Sequence, residues 1–360
     1  MTVTGGSRLA AGHRIATALS GAWRATPPSA ELSEAELAVV APLLLATGGA
    51  GLLWRRIHDP DWRASPAGIE VRQACRLYSL HAALHESRIE RAIALCRSAG
   101  AEPFLGKGWA IARLYPAPGL RPYGDIDLYV SPDRCAAARA VLRSPEGEEC
   151  AVDLHEGFAE LDDRRPEELK ARSQVVRLGA VDIRFFGPED HLRLLCLHTL
   201  RHGAWRPLWL CDVGVALESR PPDFDWAYCL GGDRRRSDWV ACTLVLVHQV
   251  LGADFAGVPR AVRERALPPW LVRAVLQQWG TAGFEPHGTR LPMIETLRSP
   301  FRMVKALRAR LPNPVEATVG VRGPFNSLPR LPFQLAECVR RTARFALRAP
   351  ALLRPSRGSS

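Results

Sequence analysis

Lysine is almost missing from this chain. Three lysines stand among 360 residues, at Lys107, Lys170 and Lys305, against 45 arginines. Abundant Ala, Arg, Gly and Pro point to a GC-biased coding sequence, so each surviving lysine either serves a purpose or escaped the bias by chance. A compact ammonium on a flexible stem suits a phosphate contact for which the planar arginine fork is no equivalent replacement. Both readings of Lys107 stand on composition alone. Paired cysteines are missing too. The nine cysteines include no CxxC pair and follow no regular spacing, which speaks against a disulfide framework and makes a reducing cytoplasm the expected location. Long apolar runs are also absent: the longest, 38–54, is broken by Pro42, Gly48, Gly49 and Gly51, and reads as a buried helix with a break rather than a membrane span. No basic segment leads into a clean hydrophobic stretch and cleavage site, so no signal peptide is expected.

Charge is abundant but uneven. Residues 290–360 hold 14 Lys or Arg against three Glu, which accounts for the whole net charge of +11. The basic runs Arg302–Arg310 and Arg340–Arg348 could draw an acidic partner, nucleic acid or an anionic membrane surface. No aromatic platform or nucleic-acid motif accompanies them, so a solvated basic face is favoured over a nucleic-acid site, with Phe333, Phe345 and neighbouring leucines read as helix packing.

Periodicity divides the chain into five parts. Residues 1–29, rich in Gly, Ser, Arg and Pro, read as a flexible arm; 30–99 as a helical region opened by a Ser33/Glu36 capping box; 100–190 as a mixed α+β core; 191–285 as a second helical region; and 286–360 as a basic extension. Within the core, Phe104-Leu105 predicts a short strand, Trp109 to Tyr115 a helix, and Ser131-Pro132-Asp133 the start of another. Further strands are expected at 150–155 and at 175–186, the latter as a hairpin around Gly179.

The sharpest chemistry lies in that core. Gly106-Lys107-Gly108 precedes Gly124-Asp125-Ile126-Asp127-Leu128-Tyr129-Val130. Alternate side chains of a strand share a face, so Asp125 and Asp127 project together while Ile126, Leu128 and Val130 supply apolar packing. Two such carboxylates repel each other, and a divalent cation keeps both ionised; a strand edge with two solvated acids fits the same spacing. A third acid from a neighbouring strand would strengthen the metal reading, and Asp153 and Asp182 are the candidates. His198 with His202, and His81 with His85, have i,i+4 spacing that can seat a metal but lack an HExxH glutamate, so packed histidines are favoured. His155 beside Asp153 reads either as a metal-orienting group or as a packed strand residue.

In order along the chain, Leu105 to Gly108, Tyr115-Pro116, Leu120-Arg121-Pro122, Asp125 to Val130 and Val152-Asp153-Leu154-His155 resemble the uncharacterised nucleotidyltransferase family of the DNA polymerase beta-like superfamily. Some members of that family sit in peptide natural-product clusters, including those for lasso peptides. Later stretches fit as well: Gly187 to Asp190, Leu195 to His198, Arg201-His202-Gly203 and Leu210-Cys211-Asp212. The resemblance covers 30–255 and implies an α+β fold, a small mixed-sheet nucleotidyltransferase core flanked by helices. It favours Asp153 over Asp182, because the family pattern carries VDLH at the former. Three departures stand out: Gly106 replaces a leucine, Glu156 replaces a tryptophan, and the stretch from Leu142 to Asp153 is short.

The resemblance further implies a Mg2+-dependent enzyme that moves a nucleoside monophosphate from an NTP to a hydroxyl or phosphate acceptor. Asp125, Asp127 and Asp153 would be its catalytic and metal-binding residues, holding two Mg2+ ions between them. Gly106, Lys107, Gly108 and Arg121 would bind the nucleotide's phosphates. The partners implied are NTP and an acceptor, a peptide or a small molecule. The alternative is a catalytically inactive nucleotide- or peptide-binding protein on the same fold.

Overall fold

The computed structural model describes residues 5–281 and 311–352. At its centre is one five-stranded mixed sheet in the order β3-β2-β1-β5-β4. The strands are β1 (Phe104–Leu105), β2 (Ile126–Val130), β3 (Val152–Glu156), β4 (Gln174–Leu178) and β5 (Val181–Phe185). Strand β2 runs antiparallel to β1 and parallel to β3, β1 runs parallel to β5, and β4 and β5 form the expected hairpin with Gly179 at a φ of 50°.

Every residue of β2 is buried, and its two faces differ in kind. Ile126, Leu128 and Val130 pack with Ile89, Ile93 and Cys96 of the helix Pro66–Ser98 and with Cys135 and Ala138 of the helix Pro132–Leu142. Tyr129 turns the other way, into a smaller cluster with Phe104, Phe186 and Leu194. Strand alternation puts Asp127 on this second face. One side of the sheet is thus a dry helix-covered core, and the other carries the chemistry.

The short link from Leu142 to Asp153 is accommodated without displacing the strand. It folds as the tight helical turn Pro145–Glu148, and Ala151 takes a left-handed φ of 55° before β3 begins. The amide of Ile126 then donates to the Ala151 carbonyl at 3.1 Å, which registers Asp153 opposite Asp127.

The helices before and after the sheet share one large hydrophobic cluster, from Ile15 to Phe325. The apolar run 38–54 is indeed a broken helix: Glu34–Thr47 ends at Gly48 with φ 82°, and Ala50–Arg56 follows. The Ser33/Glu36 capping box forms as expected. Among the described residues, no helix is long and apolar enough to cross a membrane.

Three expectations need correction. The arm expected at 1–29 contains a helix, Gly5–Leu19, docked on the helix Pro269–Trp279 with Ile15, Leu19 and Trp23 buried. Its glycine permits close approach: a Cβ at Gly12 would stand 1.9 Å from the Leu276 carbonyl oxygen. A helical glycine costs about 1 kcal/mol, whereas each buried Ile or Leu returns about 1.5–3 kcal/mol, so docking wins. The helix expected from Trp109 to Tyr115 is shorter, Gly108–Ala112. In the last helix, Leu331–Leu352, Phe345 is 67% exposed rather than packed, while Arg340 and Arg341 pair with the buried Glu337. The boundary at 285/286 and the run 302–310 lie outside the described residues.

Candidate active site

The polar face of the sheet opens into a cavity of about 550 Å3. One wall comes from the core: Lys107, Gly108, Arg121, Tyr123, Asp125, Asp127, Asp153, His155 and Glu156. The other comes from the helical region beyond it: His198, Arg201, His202, Arg206 and Trp209, with Ala159 and Glu160 at the join. A wider cleft of about 910 Å3 lies on the helical body, but its Arg24 and Glu218 are spent on each other at 2.8 Å. The acids converge in the smaller cavity.

Register creates the acid cluster. Asp127 and Asp153 are direct partners across the parallel β2–β3 pair, and Tyr129 and His155 are the next partners on the same face. Asp127, Asp153 and His155 each present a ligand atom, and the three lie within 4.8 Å of one another. His155 Nε2 sits 3.0 Å from Asp127 Oδ1 and 3.3 Å from Asp153 Oδ2. The Asp127 side chain is 6% exposed and that of Asp153 56%, so the cluster runs from the cavity floor to its rim. Asp125 lines the same cavity just before β2, outside this tight group. Asp182 is elsewhere, on β5, paired with Arg177 at 3.1 Å.

Lys107 is buried, and its Nζ lies 2.5 Å from Asp127 Oδ1. Burial alone would raise the Asp127 pKa; His155 and Lys107 outweigh it and hold the carboxyl below its ordinary value. Asp127 is therefore ionised at neutral pH. The backbone of Lys107 is strained, with φ 43° and ψ −132°, a conformation that a non-glycine residue keeps only where its surroundings impose it. Here the imposing contacts are the ion pair below and the helix Gly108–Ala112 that starts immediately after.

The neighbouring glycines differ in role. Gly108, with φ 22°, lines the cavity. Gly106 does not: its amide donates to the Asp127 carbonyl at 3.0 Å, and a Cβ there would stand 2.5 Å from Tyr129 Cε2. The missing side chain makes room for the Tyr129 ring, which stacks on His155 at 4.4 Å and 12°. Tyr129 thus fixes the plane of the imidazole that touches both acids.

Arg121 lines the cavity with its guanidinium held by Asp212, at 2.7 Å from Nη2 to Oδ2. His198 and His202 pack against each other at 4.5 Å and on Trp209 at 4.8 and 5.3 Å. Burial first, then nearby cations, Lys107 foremost for His198 and Arg201 for His202, push both imidazole pKa values down, which favours their neutral forms. His85 is likewise packed, 5.2 Å from the Tyr123 ring. Neither histidine pair belongs to a metal-ligand cluster among the described residues. The sequence reading missed Arg206 and Trp209; the signal was Pro207, a first-turn proline that makes Arg206 the residue entering the helix Pro207–Glu218.

Two carboxylates and an imidazole, with a third carboxylate in the same cavity, form a donor set suited to a divalent cation. A family model described as an uncharacterised nucleotidyltransferase matches residues 40–147 and 144–251, together more than half of the chain. That match defines the class, a nucleotidyl-transferring enzyme. The chain belongs to the uncharacterised nucleotidyltransferase family. Comparison with curated proteins and with solved structures returns no match.

Proposed function

We propose that this enzyme transfers a nucleoside monophosphate from an NTP to a hydroxyl or phosphate acceptor, with Mg2+ as its metal. The observation that carries the reading is the convergence of Asp127, Asp153 and His155 within 4.8 Å on the cavity wall that also holds Asp125 and Lys107. Asp125, Asp127 and Asp153 are the proposed metal-binding and catalytic residues. When bound, divalent cations would neutralise the triphosphate and lower the pKa of the attacking hydroxyl. Lys107 keeps Asp127 ionised at the cavity floor, where burial would otherwise favour its neutral form. His155, braced by Tyr129, holds the floor and rim carboxylates in one orientation. The helical region beyond the core supplies the facing wall of the cavity, with His198, Arg201, His202, Arg206 and Trp209 opposite the acids.

Placement in the polymerase beta-like superfamily, a cytoplasmic location, and a peptide or small-molecule acceptor from natural-product biosynthesis belong to this proposal through the family resemblance. The test incubates the full chain with each NTP, Mg2+ and candidate acceptors, and looks for a mass gain of one nucleotide. Asp153→Asn, at an exposed rim position that should fold normally, is expected to lower transfer at least about a hundredfold. Undiminished transfer by Asp153→Asn and by Asp127→Asn would remove the mechanism.

A further inference from the structure

Four Lys or Arg side chains line the cavity: Lys107, Arg121, Arg201 and Arg206. Three are spent on acids of the chain itself. Lys107 is held by Asp127 at 2.5 Å, Arg121 by Asp212 at 2.7 Å and Arg201 by Glu160 at 2.6 Å. Among the described residues Arg206 has no carboxylate partner; its Nε donates to the Thr47 carbonyl at 2.8 Å, and that contact sets its direction rather than neutralising it.

The surroundings are built to present this side chain. The turn before it is left-handed at two successive residues, Gly203 with φ 71° and Ala204 with φ 53°. Trp279 Nε1 donates to the Ala204 carbonyl at 2.8 Å, and Asn313 Nδ2 donates to that of Gly203 at 3.1 Å. Gly48 leaves the space the guanidinium fills, since a Cβ there would approach Nη2 to 2.6 Å. Burial, followed by the nearby Arg121, pushes the Arg206 pKa down to about 10 against the longer-range pull of Asp212 and Asp125, so the group remains charged at neutral pH with no carboxylate in ion-pair contact among the described residues. A partly desolvated cation with free donors is stabilised by an incoming anion, and the guanidinium fork matches phosphate oxygens.

We infer that Arg206 is the phosphate anchor of the cavity, the cation left free to take a phosphate group of the nucleotide on the wall facing the acids. This rests on the cavity being the nucleotide site. It transfers to Arg206 the role that sequence reasoning gave to Arg121, whose charge Asp212 consumes.

The test measures binding of inorganic tripolyphosphate, NTP and a phosphate monoester to the full chain by calorimetry, in wild type, Arg206→Met and Arg206→Lys. Arg206→Met is expected to weaken tripolyphosphate and NTP at least tenfold, with Arg206→Lys intermediate and both melting close to wild type. A loss confined to the monoester would instead seat an acceptor's phosphate on Arg206 and leave the anion site standing. Equal binding of all three anions by wild type and folded Arg206→Met overturns the inference. Should the variants unfold, dicarbonyl modification of wild-type arginines read by peptide mass spectrometry decides: tripolyphosphate should protect Arg206, and unchanged modification overturns the anchor. Arg206-dependent tripolyphosphate binding by a protein that transfers no nucleotide would sink the proposed reaction alone. Transfer with an unchanged KM for NTP in Arg206→Met would sink the anchor alone.

Discussion

Arg121 grips both carboxylate oxygens of Asp212 from 91 residues away in the chain, with Nε contacts of 3.2 and 3.1 Å and an Nη2 contact of 2.7 Å. Tyr115 adds a hydroxyl that donates to Asp212 Oδ1 at 2.8 Å. Three separate sequence motifs therefore meet at one buried point, and the loop leading to Asp125 is tied to the helix Pro207–Glu218. Removing one partner of such a pair leaves the other charge buried and uncompensated, typically at about 3–5 kcal/mol. Asp212→Ala should lose that much stability in urea unfolding. A loss below about 1 kcal/mol would mean that the pair is not what holds the loop.

Gly106 and Tyr129 should prove coupled. Gly106→Leu forces a side chain into the Tyr129 ring and should cost about 1–3 kcal/mol, the usual penalty of overpacking. In a Tyr129→Leu background, where the ring is gone, the same change should cost less by at least about 1 kcal/mol. A double-mutant cycle measures the difference. Additive costs would show that the glycine serves some other contact. Tyr129→Leu alone should slow transfer with all three acids in place, because His155 loses the ring it stacks on.

Acid affects two neighbours in opposite ways. Burial raises the Asp190 carboxyl from 3.8 to about 6, against the pull of Arg164 and Arg172, so folding favours its protonated form. That contribution is fully present below pH 3.8 and is lost as pH rises through 6. Burial, then Arg113 and Arg121, lowers the His191 imidazole from 6.5 to about 4, so folding favours its neutral form. That contribution is present above pH 6.5 and is lost as pH falls through 4. Each shift of about two pKa units is worth about 3 kcal/mol, and between pH 4 and 6.5 the two largely offset each other. Melting curves across this window should show a steeper acid loss in Asp190→Asn than in wild type and a shallower one in His191→Gln. Parallel profiles would contradict both assignments.

The acid strand and its neighbour were legible because alternation is local: Ile126, Leu128 and Val130 mark one face and Asp127 the other, while the VDLH stretch supplied Asp153. The docked first helix was not legible. Gly12 reads as looseness in one dimension and serves close packing in three, since the backbone of Leu276 is not visible from residue 12. Arg206 escaped notice for a related reason. Among 45 arginines nothing in the sequence tells which lacks an acid partner, because Asp212, Glu160 and Asp163 lie far along the chain from the cations they neutralise.

Among the described residues strand β3 has a neighbour on one side only, and it carries two of the three clustered ligand groups. Edge strands open at lower free energy than central ones. Residues 152–156 can therefore fray while the rest of the sheet holds, dismantling the ligand set long before the molecule melts. Loss of activity on warming would then precede loss of fold, and amide exchange at those five positions would report the state of the site more faithfully than any global transition.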